Sequence, residues 1–129
     1  MIRVLLVDDD PLYRESLRQL LTLAPDVEVV GEASSAEDAC RVGRALRPEV
    51  VLIDADLPRA ACIEAVHQLA GDPDRSVGGP WVICLAVYPD QHDAAIQAGA
   101  DRFLRKDASL RELLAAVRAV ASGRSAAES

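Results

Sequence analysis

The sequence predicts an α/β domain built on a doubly wound, five-stranded parallel sheet with five helices. Apolar runs such as 4–7 and 50–53 alternate along the chain with segments whose apolar residues recur at helical spacing. The runs are rich in β-branched residues, which suits strands buried on both faces of a parallel sheet. Strand–helix alternation of this kind favours right-handed crossovers that place helices on both faces.

The composition is that of one globular domain of 129 residues, with 50% hydrophobic and 27% charged residues. Fourteen basic and 21 acidic residues give a net charge of −7, which disfavours binding of nucleic acid or anionic membranes by this domain itself. The chain contains neither an apolar stretch of membrane-spanning length nor a leader-like N-terminus, so we expect a cytoplasmic protein.

Cys40, Cys62 and Cys84 are widely spaced, which predicts small buried side chains rather than disulfides or zinc ligands.

The first half of the chain contains three predicted strands, at 2–7, 27–31 and 50–54. Asp10 and Pro11 form a helix start, with aspartate as the N-cap and proline at the first helical position, and this helix is predicted to run to about residue 24. Ser34 and Glu37 have the spacing of a capping box, which predicts a second helix to about residue 46.

The second half contains two predicted strands, at 81–86 and 101–105, and three helices. The third helix is predicted over about 60–70, and a Gly- and Pro-rich loop follows at 71–80. Pro89 and Asp90 open a short fourth helix that ends at Gly99. Ser109 and Glu112 form a second capping box, which begins a final helix that ends at Gly123.

Acidic residues stand where the first and third strands end. Asp8, Asp9 and Asp10 follow the first strand directly, and Asp54 closes the third. Open α/β sheets bind ligands at the carboxyl ends of their strands. Because adjacent strands lie only about 4.8 Å apart, acids at two strand ends indicate a shared site.

Three motifs carry a resemblance to a known family. They are Val7-Asp8-Asp9-Asp10-Pro11, then Leu52-Ile53-Asp54-Ala55-Asp56-Leu57-Pro58, and finally Gly99-Ala100-Asp101-Arg102-Phe103-Leu104-Arg105-Lys106-Asp107. In this order and spacing they resemble the receiver domain of two-component response regulators, the CheY-like fold. Val29-Val30-Gly31-Glu32-Ala33 and Lys106-Asp107-Ala108-Ser109 further resemble receivers that precede a LuxR-type helix-turn-helix output domain. The resemblance implies strand order 2-1-3-4-5, a receiver over 1–123, and a polar tail or linker start at 124–129.

The resemblance also implies roles for the acidic residues. Asp54 is expected to accept a phosphoryl group from a sensor histidine kinase. Asp8 and Asp9 are expected to hold Mg²⁺, with Asp9 and Asp54 as direct ligands and Asp56 contributing its backbone carbonyl. Lys106 is expected to contact the phosphoryl oxygens. These assignments are chemically reasonable, because Mg²⁺ prefers oxygen ligands and neutralises phosphoryl charge during transfer.

The sequence departs from the family at the positions that sense phosphorylation. The family carries Ser or Thr at the end of the fourth strand, where the alignment places Ala86, or Cys84 if the register slips by two. No serine or threonine occurs between residues 77 and 108. Cys62 replaces the family's glycine eight residues after the phosphoacceptor. The resemblance makes Phe103 the aromatic switch residue, and the small Ala86 methyl predicts that Phe103 lies inward even without phosphate.

Three functions compete at this stage. The leading hypothesis is a non-enzymatic signalling receiver that is phosphorylated on Asp54 and changes its association surface. The second is an atypical receiver that presents a constitutive dimerisation or interaction surface. The third is a phosphatase, because Asp54 and Asp56 have the spacing of the haloacid-dehalogenase nucleophile motif. We expect a homodimer or a weaker self-association through the fourth or fifth helix, or through the first and fifth, with DNA bound only through an output domain outside this chain.

Overall fold

Five parallel strands form one sheet in the order β2-β1-β3-β4-β5, which confirms the predicted doubly wound fold. The computed structural model describes residues 1–57, 59–70 and 80–123. In chain order the elements are β1 (Ile2–Val7), α1 (Pro11–Leu21), β2 (Val27–Ala33), α2 (Ala36–Leu46), β3 (Val50–Asp54), α3 (Arg59–Leu69), β4 (Trp81–Ala86), α4 (His92–Ala98), β5 (Arg102–Arg105) and α5 (Leu110–Ala121). Pro58, most of the predicted loop at 71–80 and the tail at 124–129 lie outside the described residues.

The sheet separates two apolar layers because side chains alternate along each strand. On one side, β residues such as Val4 and Leu6 pack with α1 and α5. On the other side, residues such as Leu5 and Val7 pack with α2, α3 and α4. Burial of each large aliphatic side chain contributes about 1.5–3 kcal/mol. Two covered faces explain why the strands read as continuous apolar runs. Among the described residues, no helix is both long enough and apolar enough to span a membrane.

The first two helices differ in detail from the sequence predictions. Asp10 caps α1 as predicted, accepting hydrogen bonds from the backbone N–H groups of Leu12 (3.0 Å) and Tyr13 (3.4 Å). However, α1 ends at Leu21 rather than near residue 24. The cap of α2 is Ser35, not Ser34, and its hydroxyl accepts from the Asp38 N–H at 3.1 Å. The reason is that β2 continues to Ala33, paired with Val7 of β1, so the helix starts later.

The segment after β4 forms a tight structure. Pro89–Gln91 is a 3₁₀ turn rather than the start of the predicted helix, and the seven-residue α4 follows it. Gly99 ends α4 with a φ of 118°, a left-handed conformation that glycine adopts without steric cost. The connection from β4 to β5 is therefore short because α4 has only seven residues. The β4 strand ends at Ala86, as predicted.

Candidate functional site

Three carboxylates meet at the carboxyl edge of the sheet. Asp8 follows β1, Asp54 ends β3, and the two strands are neighbours, with Val7 paired to Ile53. One ligand oxygen from each of Asp8, Asp9 and Asp54 lies within 4.8 Å of the others. Asp8 and Asp54 are only 4% and 3% exposed, whereas Asp9 faces solvent. The cluster thus combines two buried acids with one open to incoming groups.

Local backbone hydrogen bonds orient the two buried carboxylates. The Asp56 N–H donates to Asp54 Oδ1 at 2.8 Å, and the Asp10 N–H donates to Asp8 Oδ1 at 2.9 Å. Both are side chain-to-backbone bonds across two residues, a pattern that stabilises aspartate at the start of a turn. The Arg14 guanidinium also donates to the Asp8 backbone carbonyl at 2.6 Å. The first turn of α1 and the loop after β3 therefore hold the site.

Lys106 supplies the positive charge at this edge. Its backbone N–H donates to the Ala86 carbonyl at 2.8 Å, which extends the pairing of β4 with β5 by one residue. Its Nζ lies 2.9 Å from Asp8 Oδ2 and 3.1 Å from Asp54 Oδ1. Burial lowers the pKa of Lys106, but its hydrogen bonds to Asp8 and Asp54 outweigh that effect and raise the pKa overall. The side chain is therefore an ammonium at neutral pH.

The Asp54 carboxyl has a pKa raised to about 6. Burial is the main cause, and repulsion from the Asp8 carboxylate adds to it. The Asp56 N–H and the Lys106 ammonium oppose the increase because both stabilise the charged form. Three carboxylates against one ammonium leave an excess of negative charge, which a bound cation would relieve.

Ala86 is the last residue of β4, and it lies one step beyond Leu85, the pairing partner of Asp54. Cys84 lies deeper in the sheet, paired with Ile53 on one side and Phe103 on the other. Ala86 therefore lies at the strand end beside the acidic cluster, and Cys84 lies two residues before it. That Ala86 stands at the family's Ser or Thr position stays a prediction. Its methyl group is fully buried and has no hydrogen-bonding capacity.

Phe103 is half-buried and packs against the apolar cluster that contains Ala86. Its ring makes an edge-to-face contact with His92 of α4, with the ring centroids 5.3 Å apart. The ring therefore connects β5 to α4. Whether Phe103 moves on phosphorylation stays a prediction.

Three contacts were not anticipated from the sequence. The Asp56 carboxylate, expected to act only through its backbone, accepts a hydrogen bond from the Val87 N–H at 3.1 Å. The Tyr13 ring lies under Lys106, with Nζ 4.5 Å from the ring centroid. The buried thiols of Cys62 and Cys84 interact, and this interaction lowers the pKa of Cys62 and raises that of Cys84. All three cysteines are free, and Cys40 is half-buried rather than buried.

The response regulator receiver domain family matches residues 4–118. The chain belongs to this family. This receiver domain is 34% identical to the nitrate/nitrite response regulator protein NarL of Escherichia coli K12, covering 93% of the chain and 55% of NarL. It is 36% identical to the transcriptional regulatory protein LiaR of Bacillus subtilis, covering 100% of the chain and 60% of LiaR. The crystal structure of a LuxR-family two-component response regulator from Aurantimonas sp. SI85-9A1 superposes with a TM-score of 0.83 at 31% identity, covering 95% and 86% of the two chains.

The chain spans a little over half the length of these curated relatives. The matched part is the receiver, the regulatory rather than catalytic portion of a response regulator. Receiver domains typically bind Mg²⁺ at an acidic pocket, and Asp8, Asp9 and Asp54 form a cluster of carboxylates in this receiver.

Proposed function

We propose that this receiver domain accepts a phosphoryl group on Asp54 from a phosphohistidine of a sensor kinase. The observation that carries the proposal is the position of the Asp54 carboxylate, which is buried at a strand end beside Asp8 and in contact with the Lys106 ammonium. In the transfer, an Asp54 oxygen forms a bond to phosphorus as the bond from phosphorus to the histidine nitrogen breaks. The product is an acyl phosphate.

The charges at the site support this chemistry. A carboxylate attacks phosphorus only if the charge on the phosphoryl oxygens is neutralised. Lys106 would contact one phosphoryl oxygen, since its Nζ already lies 3.1 Å from Asp54 Oδ1. The oxygen donors and excess negative charge of the cluster suit Mg²⁺, which Asp8, Asp9, Asp54 and the Asp56 backbone carbonyl would hold. When bound, Mg²⁺ would supply further charge neutralisation for the phosphoryl group.

A second candidate is supported by one specific observation, the methyl group of Ala86 at the end of β4. In the family, a hydroxyl at this position bonds the phosphoryl group and couples it to the aromatic switch. Without the hydroxyl, this receiver would be phosphorylated, but its conformation would respond only weakly to the phosphoryl group. Phe103 already packs against the core. A phosphorylation-independent interaction module is therefore the alternative. Asp54 lies on the third strand of a receiver sheet, so we do not favour the phosphatase hypothesis.

The partners proposed for this domain follow from its relatives. The relatives described above are response and transcriptional regulators, and one similar crystal structure is that of a LuxR-family response regulator. We propose a sensor histidine kinase as phosphoryl donor and a DNA-binding output domain as the regulated part. The negative net charge of this domain is consistent with DNA contact through another domain.

The test is phosphorylation by a small acyl phosphate with Mg²⁺, followed by intact-protein mass spectrometry. We expect the mass of the wild type to increase by one phosphoryl group and that of Asp54→Asn to stay unchanged. Asp10→Asn is the matched control, because it makes the same charge change beside the site while keeping a good helix cap. Absence of modification in the wild type, or modification of Asp54→Asn, would refute the proposal.

A further inference from the structure

Among the residues that the structure describes, Tyr13 provides the only aromatic ring in cation–π contact with Lys106. Tyr13 lies in the first turn of α1, half-buried, and Nζ of Lys106 lies 4.5 Å from the ring centroid. An ammonium within about 6 Å of a tyrosine ring centroid is attracted by the ring's negative face, more strongly when partly desolvated. The Lys106 side chain is only 16% exposed, so this contact is well shielded from water.

The ammonium is held on three sides. Two of its contacts go to Asp8 Oδ2 at 2.9 Å and Asp54 Oδ1 at 3.1 Å, and the Tyr13 ring forms the third. Lysine has a long, flexible stem that otherwise samples many rotamers. The ring lies on a helix whose own start is capped by Asp10, so it is a rigid support. This arrangement restricts Nζ to the space directly beside the phosphoacceptor.

We propose that Tyr13 is a positioning residue that acts through Lys106, keeping the ammonium beside Asp54 so that it meets the incoming phosphoryl oxygens. This role rests on the proposed phosphoacceptor function. Unlike the two carboxylates, the ring would keep its contact with Lys106 during the reaction. Asp8 and Asp54 would turn their oxygens to a cation or to phosphorus during the reaction, whereas the neutral ring remains a partner for Lys106 throughout.

A purely structural role for Tyr13 is the alternative, because its ring also packs against the apolar layer of α1 and α5. Two substitutions separate these roles. Tyr13→Phe keeps the aromatic face, so we expect near wild-type behaviour, since phenylalanine also binds cations through its ring. Tyr13→Leu keeps apolar packing but removes the face, so we expect phosphorylation by an acyl phosphate to slow about three- to tenfold.

The first readout is NMR of unmodified protein and needs no phosphorylation. In the wild type and Tyr13→Phe, the ring should shift the Lys106 ε-methylene proton resonances upfield, and in Tyr13→Leu this shift should disappear. Leu12→Ala is the control on the same helix turn, because Leu12 is 80% exposed. Unshifted Lys106 resonances in the wild type, or a shift that survives in Tyr13→Leu, would overturn the proposal.

The second readout is a double-mutant cycle on the phosphorylation rate. If Tyr13 acts through Lys106, Tyr13→Leu should have no further effect in a Lys106→Ala background. An equal slowing in both backgrounds would assign Tyr13 a structural role and overturn the proposal. If the wild type takes no phosphoryl group at all, the proposed function fails, and the NMR signal alone then decides whether Tyr13 positions Lys106.

Discussion

The Asp56 carboxylate accepts a hydrogen bond from the Val87 backbone N–H over 3.1 Å, and this bond ties the loop after β3 to the loop after β4. Both loops begin beside Asp54, because β3 ends on Asp54 and β4 is its neighbour. Val87 directly follows Ala86. The Asp56 carboxylate therefore restrains the backbone just after β4, the strand that ends in Ala86 rather than in a residue with a hydroxyl group. The bond exists before any phosphoryl group arrives.

The first prediction concerns the hydrogen bond between the Asp56 carboxylate and the Val87 N–H. Asp56→Ala should release the loop after β4 and speed hydrogen exchange of the Val87 amide about five- to tenfold, since a net hydrogen bond is worth about 1 kcal/mol or slightly more. Asp56→Asn is the control, because its amide oxygen can still accept. Unchanged exchange in Asp56→Ala, measured by NMR, would contradict the restraint.

Mg²⁺ binding should depend on Asp54. Because the excess negative charge of the cluster attracts a cation, Asp54→Asn should weaken Mg²⁺ affinity about tenfold, which corresponds to about 1.4 kcal/mol. Trp81 fluorescence or calorimetry would measure it, with Asp10→Asn as the matched charge control. Equal affinity in wild type and Asp54→Asn would exclude Asp54 as a ligand.

The raised pKa of Asp54 predicts a pH-dependent cost to stability. A folded-state pKa of about 6, above the ordinary 3.8, means that the folded protein holds this proton more tightly than the unfolded chain. Stability should therefore fall as pH rises from about 4 to about 6, by up to about 3 kcal/mol. Without Mg²⁺, Asp54→Asn should be more stable than the wild type at pH 8.

Urea unfolding at pH 8 and at pH 4 would measure this difference, which should shrink at the lower pH as wild-type Asp54 becomes protonated. Adding Mg²⁺ at pH 8 should reduce the advantage of Asp54→Asn. If Asp54→Asn were less stable than the wild type at pH 8, the contact of the Asp54 carboxylate with Lys106 would outweigh the cost of burying its charge, which would contradict the prediction.

Ala86→Thr should strengthen the response to phosphorylation. A hydrogen bond to a charged group is worth about 1.5–3 kcal/mol, comparable to a typical allosteric coupling of about 1–3 kcal/mol. We therefore expect Phe103 to lie mainly inward in the wild type and to move little with beryllofluoride. In Ala86→Thr, beryllofluoride should change the environment of Phe103 more, as measured by aromatic NMR shifts.

Ala86→Val is the matched control, because valine has nearly the shape of threonine without the hydroxyl. It separates loss of space at this fully buried position from gain of a hydrogen bond. An equal response in the Val and Thr variants would contradict the hypothesis, as would a wild-type Phe103 that is exposed without beryllofluoride and turns inward with it.

Self-association is the final prediction, through α4 or α5, or through α1 and α5. The first helix exposes Leu12 and Leu20, and Leu23 follows it, with exposed fractions of 80%, 45% and 72%. Light scattering at high protein concentration should detect a dimer, and Leu20→Arg should weaken it if α1 takes part. A strictly monomeric mass with and without beryllofluoride would contradict the prediction.

Local pattern was sufficient to predict much of this protein. The buried strands followed from apolar runs, the start of α1 from Asp10 and Pro11, and the start of α5 from Ser109, whose hydroxyl accepts from the Glu112 N–H at 3.1 Å. These features depend on residues within one turn or one strand of each other. The position of Asp54 at a strand end followed in the same way.

Only the tertiary structure decided which side chains touch across the sheet edge. Lys106 and Asp8 are 98 residues apart in sequence, and their contact exists because β5 and β1 end at the same edge. The bond from Val87 to Asp56 and the ring of Tyr13 beneath Lys106 arise in the same way. Even the choice of Ser35 over Ser34 as the α2 cap depended on how far β2 pairs with β1, because pairing between strands, not local propensity, determines where β2 ends.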